Sequence, residues 1–504
     1  MFGSFLPTDC GRGRLSIHFG YPDRGEPVSP AGGQAAGDGP PGPRPHPRLG
    51  IVLIALALIG VAGFTRVLAA VGKQTAPPAV NILWAAPFVL MLLAMSVLPA
   101  LAARLWDRFY AVIAIGLGAT AAIGYGVWLQ AAGPVAASLG LYLKFMSLVG
   151  ALFIISSGIL VRVRRPAAPA ANIAVLLAGA VLANILGTTG AGIVLIRPYL
   201  QMNRGHIRPF HVIFFVFLVA NIGGALTPLG DPPLLLGYLM GVPFWWMLQH
   251  AWGAWLLAVG LPLAVFYLLD RRCPRDAAAG EGQAVAIAGL GQLALILPVL
   301  GSLFVPAPWR EMVLVLAAGL SLLLTPNSVR VANRFSFKPL REMAVLFLGI
   351  FLTLAPVLNL LAGRAATGQL ATYTATPGRC YFLTGALSAV LDNAPTYAAC
   401  LQSRAAAGTV GKANLIASLP RPAVSPAGTA VLAQPNGGIY LLAISLGAVF
   451  FGACTWIGNG PNLLIKSLAE HEGVKCPGFF TYIAGYAVPV LLPVLVLVWL
   501  IFLW

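Results

Sequence analysis

Apolar runs long enough to cross a bilayer, about 20 residues each, lie near 51–72, 81–102, 109–131, 138–161, 210–241, 250–270, 287–305, 309–325, 342–362, 437–470 and 482–503. They predict eleven transmembrane helices. Two further apolar stretches, 171–200 and 380–402, carry polar residues at their centres, Asn184-Ile-Leu-Gly-Thr-Thr-Gly190 and Asp392-Asn-Ala-Pro-Thr396. Each is read as a re-entrant helical hairpin rather than a span. The spans at 210–241 and 437–470 are themselves broken by islands of polar and helix-breaking residues, Asn221 to Pro233 and Gly452 to Leu464. Hydrocarbon offers no water to freed backbone groups, so a broken helix at membrane depth survives only where it lines a cavity or binds something. A matched pair of breaks in two halves of a chain marks a substrate site near the bilayer midplane.

The loops test the hairpin reading. If both stretches return to the side they entered from, Arg104, Arg108, Arg162, Arg164, Arg165, Arg197, Arg204, Arg208, Arg271, Arg272, Arg275, Arg330, Arg334, Lys338 and Arg341 fall on the side of the N-terminus. That bias places the N-terminus in the cytoplasm of a multi-pass inner-membrane protein. Threading 171–200 straight through would split the arginines at 162–165 from those at 197–208. The expected organisation is a leader at 1–48, rich in Pro, Gly and Arg and unable to fold alone, and a first helix within 49–80. Repeat one covers 81–272, with its hairpin at 171–200 and broken helix at 210–241. Repeat two covers 285–504, with its hairpin at 380–402, an external insert at 404–436 and its broken helix at 437–470. Both repeats run three helices, hairpin, broken helix, helix. Five crossings per unit invert one unit relative to the other.

Composition agrees with an all-α polytopic membrane protein: 59% hydrophobic and 9% charged residues, against roughly 25% charged in soluble domains. The net charge of +17 sits in loops between apolar segments, which argues for orientation in a membrane and against nucleic acid. Six cysteines without CxxC or zinc-ligand spacing, and six histidines without HExxH, support neither a disulfide framework nor zinc or haem. Gly411-Lys412 is followed by Ala413, so there is no phosphate loop. No cofactor is expected.

Of the fourteen acidic residues, Asp231 and Asp392 are the two expected within membrane depth. A carboxylate there costs at least ~2.5 kcal/mol and signals function by default. Asp231 also suits an N-cap ahead of Pro232-Pro233. Around the two carboxylates, Asn184, Thr188, Thr189, Asn221, Thr227, Asn393, Thr396, Thr455, Asn459 and Asn462 supply hydroxyls and amides, and Gly223 and Gly224 free the backbone to unwind. A hard cation wants such oxygens, and Asp231 and Asp392 are the candidate transient Na+ ligands. An anion would instead rest on the helix N-termini exposed at breaks and tips. Some of these polar groups serve only to hold helices together. Lys144 is read as snorkelling to the interface.

The segments Gly223 to Pro233, Ser388-Ala-Val-Leu-Asp-Asn-Ala-Pro-Thr-Tyr397 and Gly458-Asn-Gly-Pro-Asn-Leu-Leu-Ile-Lys466 resemble signatures of the ion transporter superfamily, nearest its citrate-transporter and NhaD-type sodium/proton antiporter branches. The resemblance covers roughly 80–504. It implies eleven spans with two hairpins, a homodimer, and an elevator-like shift of the hairpin-bearing part. The tips depart from the Ser-Asn-Thr triplets of the dicarboxylate branch. Two embedded carboxylates favour a secondary active transporter exchanging Na+ for H+. The alternative is uptake of citrate or another organic anion coupled to a cation gradient. A channel would not require two re-entrant tips, and an intramembrane enzyme has no use for paired breaks.

Overall fold

A computed structural model describes residues 47–71, 80–163, 168–273, 285–333, 335–366, 375–407 and 427–504. The expected leader, except its last two residues, and the centre of the expected insert at 404–436 lie outside the described residues. The chain is helical: α1 (Pro47–Val71), α2 (Ala86–Leu101), α3 (Ala103–Ile123), α4 (Ala132–Ser156), α5 (Pro169–Met202), α6 (Pro209–Leu218), α7 (Pro232–Leu239), α8 (Trp246–Asp270), α9 (Gly291–Ser302), α10 (Trp309–Leu324), α11 (Asn327–Ala332), α12 (Lys338–Ala366), α13 (Pro377–Val390), α14 (Asn393–Ala407), α15 (Ala427–Leu432), α16 (Gly437–Phe451), α17 (Gly460–His471), α18 (Phe479–Tyr482) and α19 (Leu492–Phe502).

Among the described residues, nine helices are long and apolar enough to cross a membrane. Eight of them coincide with expected spans and the ninth is α5. The expected span at 287–305 is corrected. Its start is a strand, β2 (Val285–Ala288), antiparallel to β1 (Leu160–Val163) with Leu160 opposite Ala288 and Val163 opposite Val285, leaving only the 12-residue α9. Gly289 turns the chain out of the strand at φ 81°. A Cβ there would lie 2.0 Å from the carbonyl of Gly158. The expected span at 309–325 is the 16-residue α10. This two-stranded ribbon is a small addition to an otherwise all-α fold.

Two groups of helices pack within themselves. In one, α12 lies against α3 and α4, α10 against α1, α4 and α9, and α2 against α3. Phe145 on α4 packs at a tilt against Phe347 and Phe351 of α12, at 4.8 and 5.7 Å. In the other, α5 to α8 pack with α13, α14 and α16 to α19. In this second group α5, α6, α7, α13 and α17 each have Pro in their first turn, where the missing N–H costs nothing and φ is already set. Burial separates the two interrupted segments from the other seven apolar windows, which are 22% to 56% buried. The windows Ile82–Pro99 and Arg104–Trp128 are 22% buried, whereas Pro209–Leu226 and Gly437–Cys454 are 83% and 78% buried. The interrupted segments are thus shielded by protein, as freed backbone requires.

α5 contains a break at Gly187, which adopts φ 78°, ψ 157°. A straight helix of its 34 residues would be about 50 Å long. Its two ends instead meet: Asn172 Nδ2 donates to Asn203 Oδ1 at 2.9 Å and Asn203 Nδ2 to Asn172 Oδ1 at 2.8 Å. The pair is buried and fastened to its surroundings through Asp270 at the end of α8, which accepts from Asn172 Nδ2 at 2.9 Å and lies 3.2 Å from His211 Nε2. The Arg208 amide donates to His211 Nδ1 at 3.1 Å, so the proton facing Asp270 is on Nε2. Replacing Asn172 with Leu deletes bonds to both Asn203 and Asp270. A hydrogen bond to a charged group is worth about 1.5–3 kcal/mol, so Asn172→Leu is expected to lower the thermal unfolding midpoint in detergent by several degrees. An unchanged midpoint would remove this cluster from any holding role.

Candidate functional site

The two breaks repeat one pattern, Gly224-Ala-Leu-Thr-Pro-Leu-Gly-Asp-Pro-Pro233 and Gly452-Ala-Cys-Thr-Trp-Ile-Gly-Asn-Gly-Pro461, and they fold alike. After α6 and α16 comes a 3-10 turn, Ile222–Leu226 or Gly452–Cys454. An extended threonine follows, Thr227 at φ −135°, ψ 156° and Thr455 at φ −141°, ψ 165°. Then an extended Asp231 or Asn459 leads into α7 or α17. Glycines make this loop possible because the backbone crosses itself: a Cβ on Gly230 would fall 2.0 Å from the Gly224 oxygen, and one on Gly458 2.7 Å from the Gly452 oxygen.

Asparagines satisfy the carbonyls and amides that the breaks expose. Asn184 Nδ2 donates to the Gly223 oxygen at 2.7 Å while its Oδ1 accepts from Leu226 N at 2.9 Å. Thr227 Oγ1 returns a bond to the Asn184 oxygen at 2.6 Å. In the second break Asn462 Nδ2 donates to the oxygens of Gly452 and Thr455, both at 2.9 Å. Thr455 Oγ1 reaches the Ala389 oxygen at 2.5 Å. Trp255 Nε1 adds a 3.0 Å bond to the Gly223 oxygen, a contribution no sequence signal separates from an ordinary apolar-run tryptophan.

Four separate segments meet at Asp231, which is 1% exposed. Thr188, just past the Gly187 break, donates from Oγ1 to Oδ1 at 3.0 Å, and its amide donates to the Gly230 oxygen at 2.8 Å. Asn459 of the second break donates to Oδ1 at 3.0 Å. Asn393, where α14 begins, donates to Oδ2 at 2.7 Å. Behind them Asn459 Nδ2 also approaches Asn221 Oδ1 at 3.1 Å, and Asn221 Nδ2 donates to Asn462 Oδ1 at 2.7 Å. Asp231 and Asn459 occupy the same place in the two matching loops, one acidic and one amide, so they attract where two aspartates would repel.

Among the described residues no Lys, Arg or His pairs with Asp231. Asn393 Oδ1, buried beside it, has no hydrogen-bond donor. A carboxylate and a carbonyl oxygen thus stand together without a positive charge, a donor set suited to a proton or a hard cation. The adjoining cavity, about 40 Å³, is lined by Leu148, Phe153, Thr188, Thr189, Asp231 and Met343. It admits a water or a bare ion.

The remaining expected residues lie elsewhere in role. The cap expected of Asp231 is absent: its side chain makes no capping bond to α7. Asp392 is the residue that caps, accepting from Ala394 N at 3.1 Å at the start of α14. Thr396 bonds back to the Asp392 oxygen at 2.9 Å. Gly223 and Gly224 serve through their backbones, since a Cβ on either would strike Leu218 O or Gly230 O. Lys144 pairs with neither aspartate. No group of three His, Cys, Asp or Glu able to hold a metal occurs among the described residues.

No curated protein matches the chain. The model of a family described as "putative citrate transport" matches residues 78–503, a stretch that contains both breaks and every residue around Asp231. The chain belongs to this family of multi-pass membrane transporters, not enzymes.

Proposed function

We propose that this protein is a cation-coupled secondary transporter of an organic anion of the citrate class. The observation that carries this reading is the buried Asp231, ringed by Thr188, Asn393 and Asn459 and lacking a cationic side chain. A cation or proton bound there completes the charge, and the anion rests against the helix N-termini that begin at Pro232, Asn393 and Gly460. Family membership supports the organic-anion reading over the sodium/proton exchange that two carboxylates alone would favour. In both schemes Asp231 and Asp392 are the candidate coupling groups for Na+ or H+.

The same geometry supports re-entrant hairpins at 169–202 and 377–407 and two units of inverted topology. Asn172 bonded to Asn203 closes the first hairpin, and the break at Leu391 divides the second. A cavity too small for a tricarboxylate, lying where α4 and α12 face the tip at Gly187, supports an elevator-like shift that opens it. The arginine-bearing loops support a cytoplasmic location for their side, and the resemblance of the motifs implies a homodimer.

The decisive measurement is uptake of labelled citrate into proteoliposomes with and without Na+ or pH gradients. Gradient-driven accumulation is expected. Proton flux driven by Na+ in the absence of citrate, with no citrate uptake, would overturn the anion reading in favour of exchange.

Asp231→Asn keeps the size of the side chain and has no cap to lose, so it is expected to abolish gradient dependence while the protein still reaches the membrane. Asn393→Ala, which removes one charge-assisted bond, is expected to weaken apparent cation affinity about 10–100-fold, the equivalent of about 1.5–3 kcal/mol. Wild-type coupling in both variants would assign the cluster a structural role.

A further inference from the structure

A second cavity, about 70 Å³, lies further along the seam between the two helix groups. Arg197 of α5 and Leu464 of α17 line one side. Ser157, Asn333, Phe335 and Ser336, which follow α4 or lie around the start of α12, line the other. Phe153 lines this cavity and the Asp231 cavity alike. Phe153 is thus a wall shared by two small chambers, and Ser336 at the outer one is solvent-exposed.

The outer chamber is electropositive by construction. None of its lining side chains is acidic. Arg197 reaches across the seam to donate to the Asn333 carbonyl. Behind Phe335 sits a second guanidinium, Arg330, 9% exposed and 4.8 Å from the ring centre. It is held only by neutral groups: Ser157 Oγ at 2.9 Å, the Ser321 oxygen at 2.8 Å, and Thr325 Oγ1 at 3.1 Å. Its Nε is buried without a hydrogen bond, and no carboxylate pairs with it among the described residues. A buried guanidinium balanced by hydroxyls rather than an acid leaves its charge to act on the space nearby. A carboxylate is the anion whose flat, two-oxygen geometry a guanidinium matches best.

We propose that the Arg197 chamber is an anteroom for carboxylates. It is the place where one carboxylate of the organic anion first docks from the Ser336 side, with Phe153 on the path towards Asp231. This rests on the organic-anion reading above, and it assigns Arg197 as the residue that recognises the substrate's carboxylate on that side. The inner site then needs no arginine of its own.

The test uses the full chain reconstituted in liposomes, with cysteine placed at Ser336 and labelling measured over that of the parent chain. A negatively charged methanethiosulfonate is expected to react with Ser336→Cys about tenfold faster than a positively charged one of similar size, the lower end of electrostatic enrichment in a charged cleft. Arg197→Gln should abolish that preference and Arg197→Lys should retain it. Citrate should slow the labelling of Ser336→Cys when Arg197 is present and not when it is Gln. In citrate exchange, Arg197→Gln should raise KM about tenfold with kcat nearly unchanged. Equal reaction with both reagents, or a preference indifferent to Arg197→Gln, overturns the anteroom. A charge preference without citrate protection overturns its assignment to carboxylates. Citrate protection in a protein that moves no citrate supports the anteroom and counts instead against the transport reading.

Discussion

The structure is organised around one expensive group, a carboxylate held in a membrane protein's interior with no Lys, Arg or His paired to it among the described residues. Isolating a charge in low dielectric is costly unless it is paired or neutralised, so whatever occupies Asp231 decides the energy of the whole centre. Three hydrogen-bond donors arrive from three different segments, and each donor sits at or directly beside an interruption of helical backbone. The breaks, the kink at Gly187 and the glycine crossings serve that requirement. Stability draws on the same residues, because the three donors that satisfy the carboxylate also fix where their segments meet.

The matching loops show how one pattern can serve two purposes. Both use a Gly-Ala-x-Thr turn and a glycine crossing, and both restart a helix behind proline. One ends in Asp231 and the other in Asn459, and the amide of the second stabilises the acid of the first. Two acids at these positions would repel across about 3 Å, and two amides would bind neither proton nor metal ion. The difference of a single functional group makes a pair of similar loops into a site with a charged half and a neutral half.

Much of this centre was legible in the sequence because the bilayer punishes polar residues so heavily that their presence is informative. Asn184, Thr188, Asn221, Asp231, Asn393, Asn459 and Asn462 stand out against apolar neighbours and come together. What could not be read was the division of labour. Asn184 and Asn462 spend their amides on broken backbone, whereas Asn393 and Asn459 spend theirs on the carboxylate, and the residue types are identical. The exchange of capping roles between Asp231 and Asp392 escaped notice for the same reason, since a proline after an aspartate signals a cap without saying where the carboxylate points. The span expected at 287–305 failed because Val285–Ala288 is apolar enough to extend a helix and β-branched enough to pair with Leu160–Val163. That partner lies more than a hundred residues away, beyond the reach of local periodicity. Phe153 and Met343 left no trace, being apolar residues among apolar residues.

The ribbon has a mechanical meaning. Strand β1 follows directly on α4 and β2 leads directly into α9, so the chain leaves one helix group at 163 and re-enters it at 285, with the two strands hydrogen-bonded side by side. Everything between them, α5 to α8 and the loop that carries Asp231, hangs from a single two-ply strap instead of from two separate tethers. The ribbon therefore ties the two covalent connections of α5 to α8 into one, while α13 to α19, which pack with those helices, keep their own connection to α12.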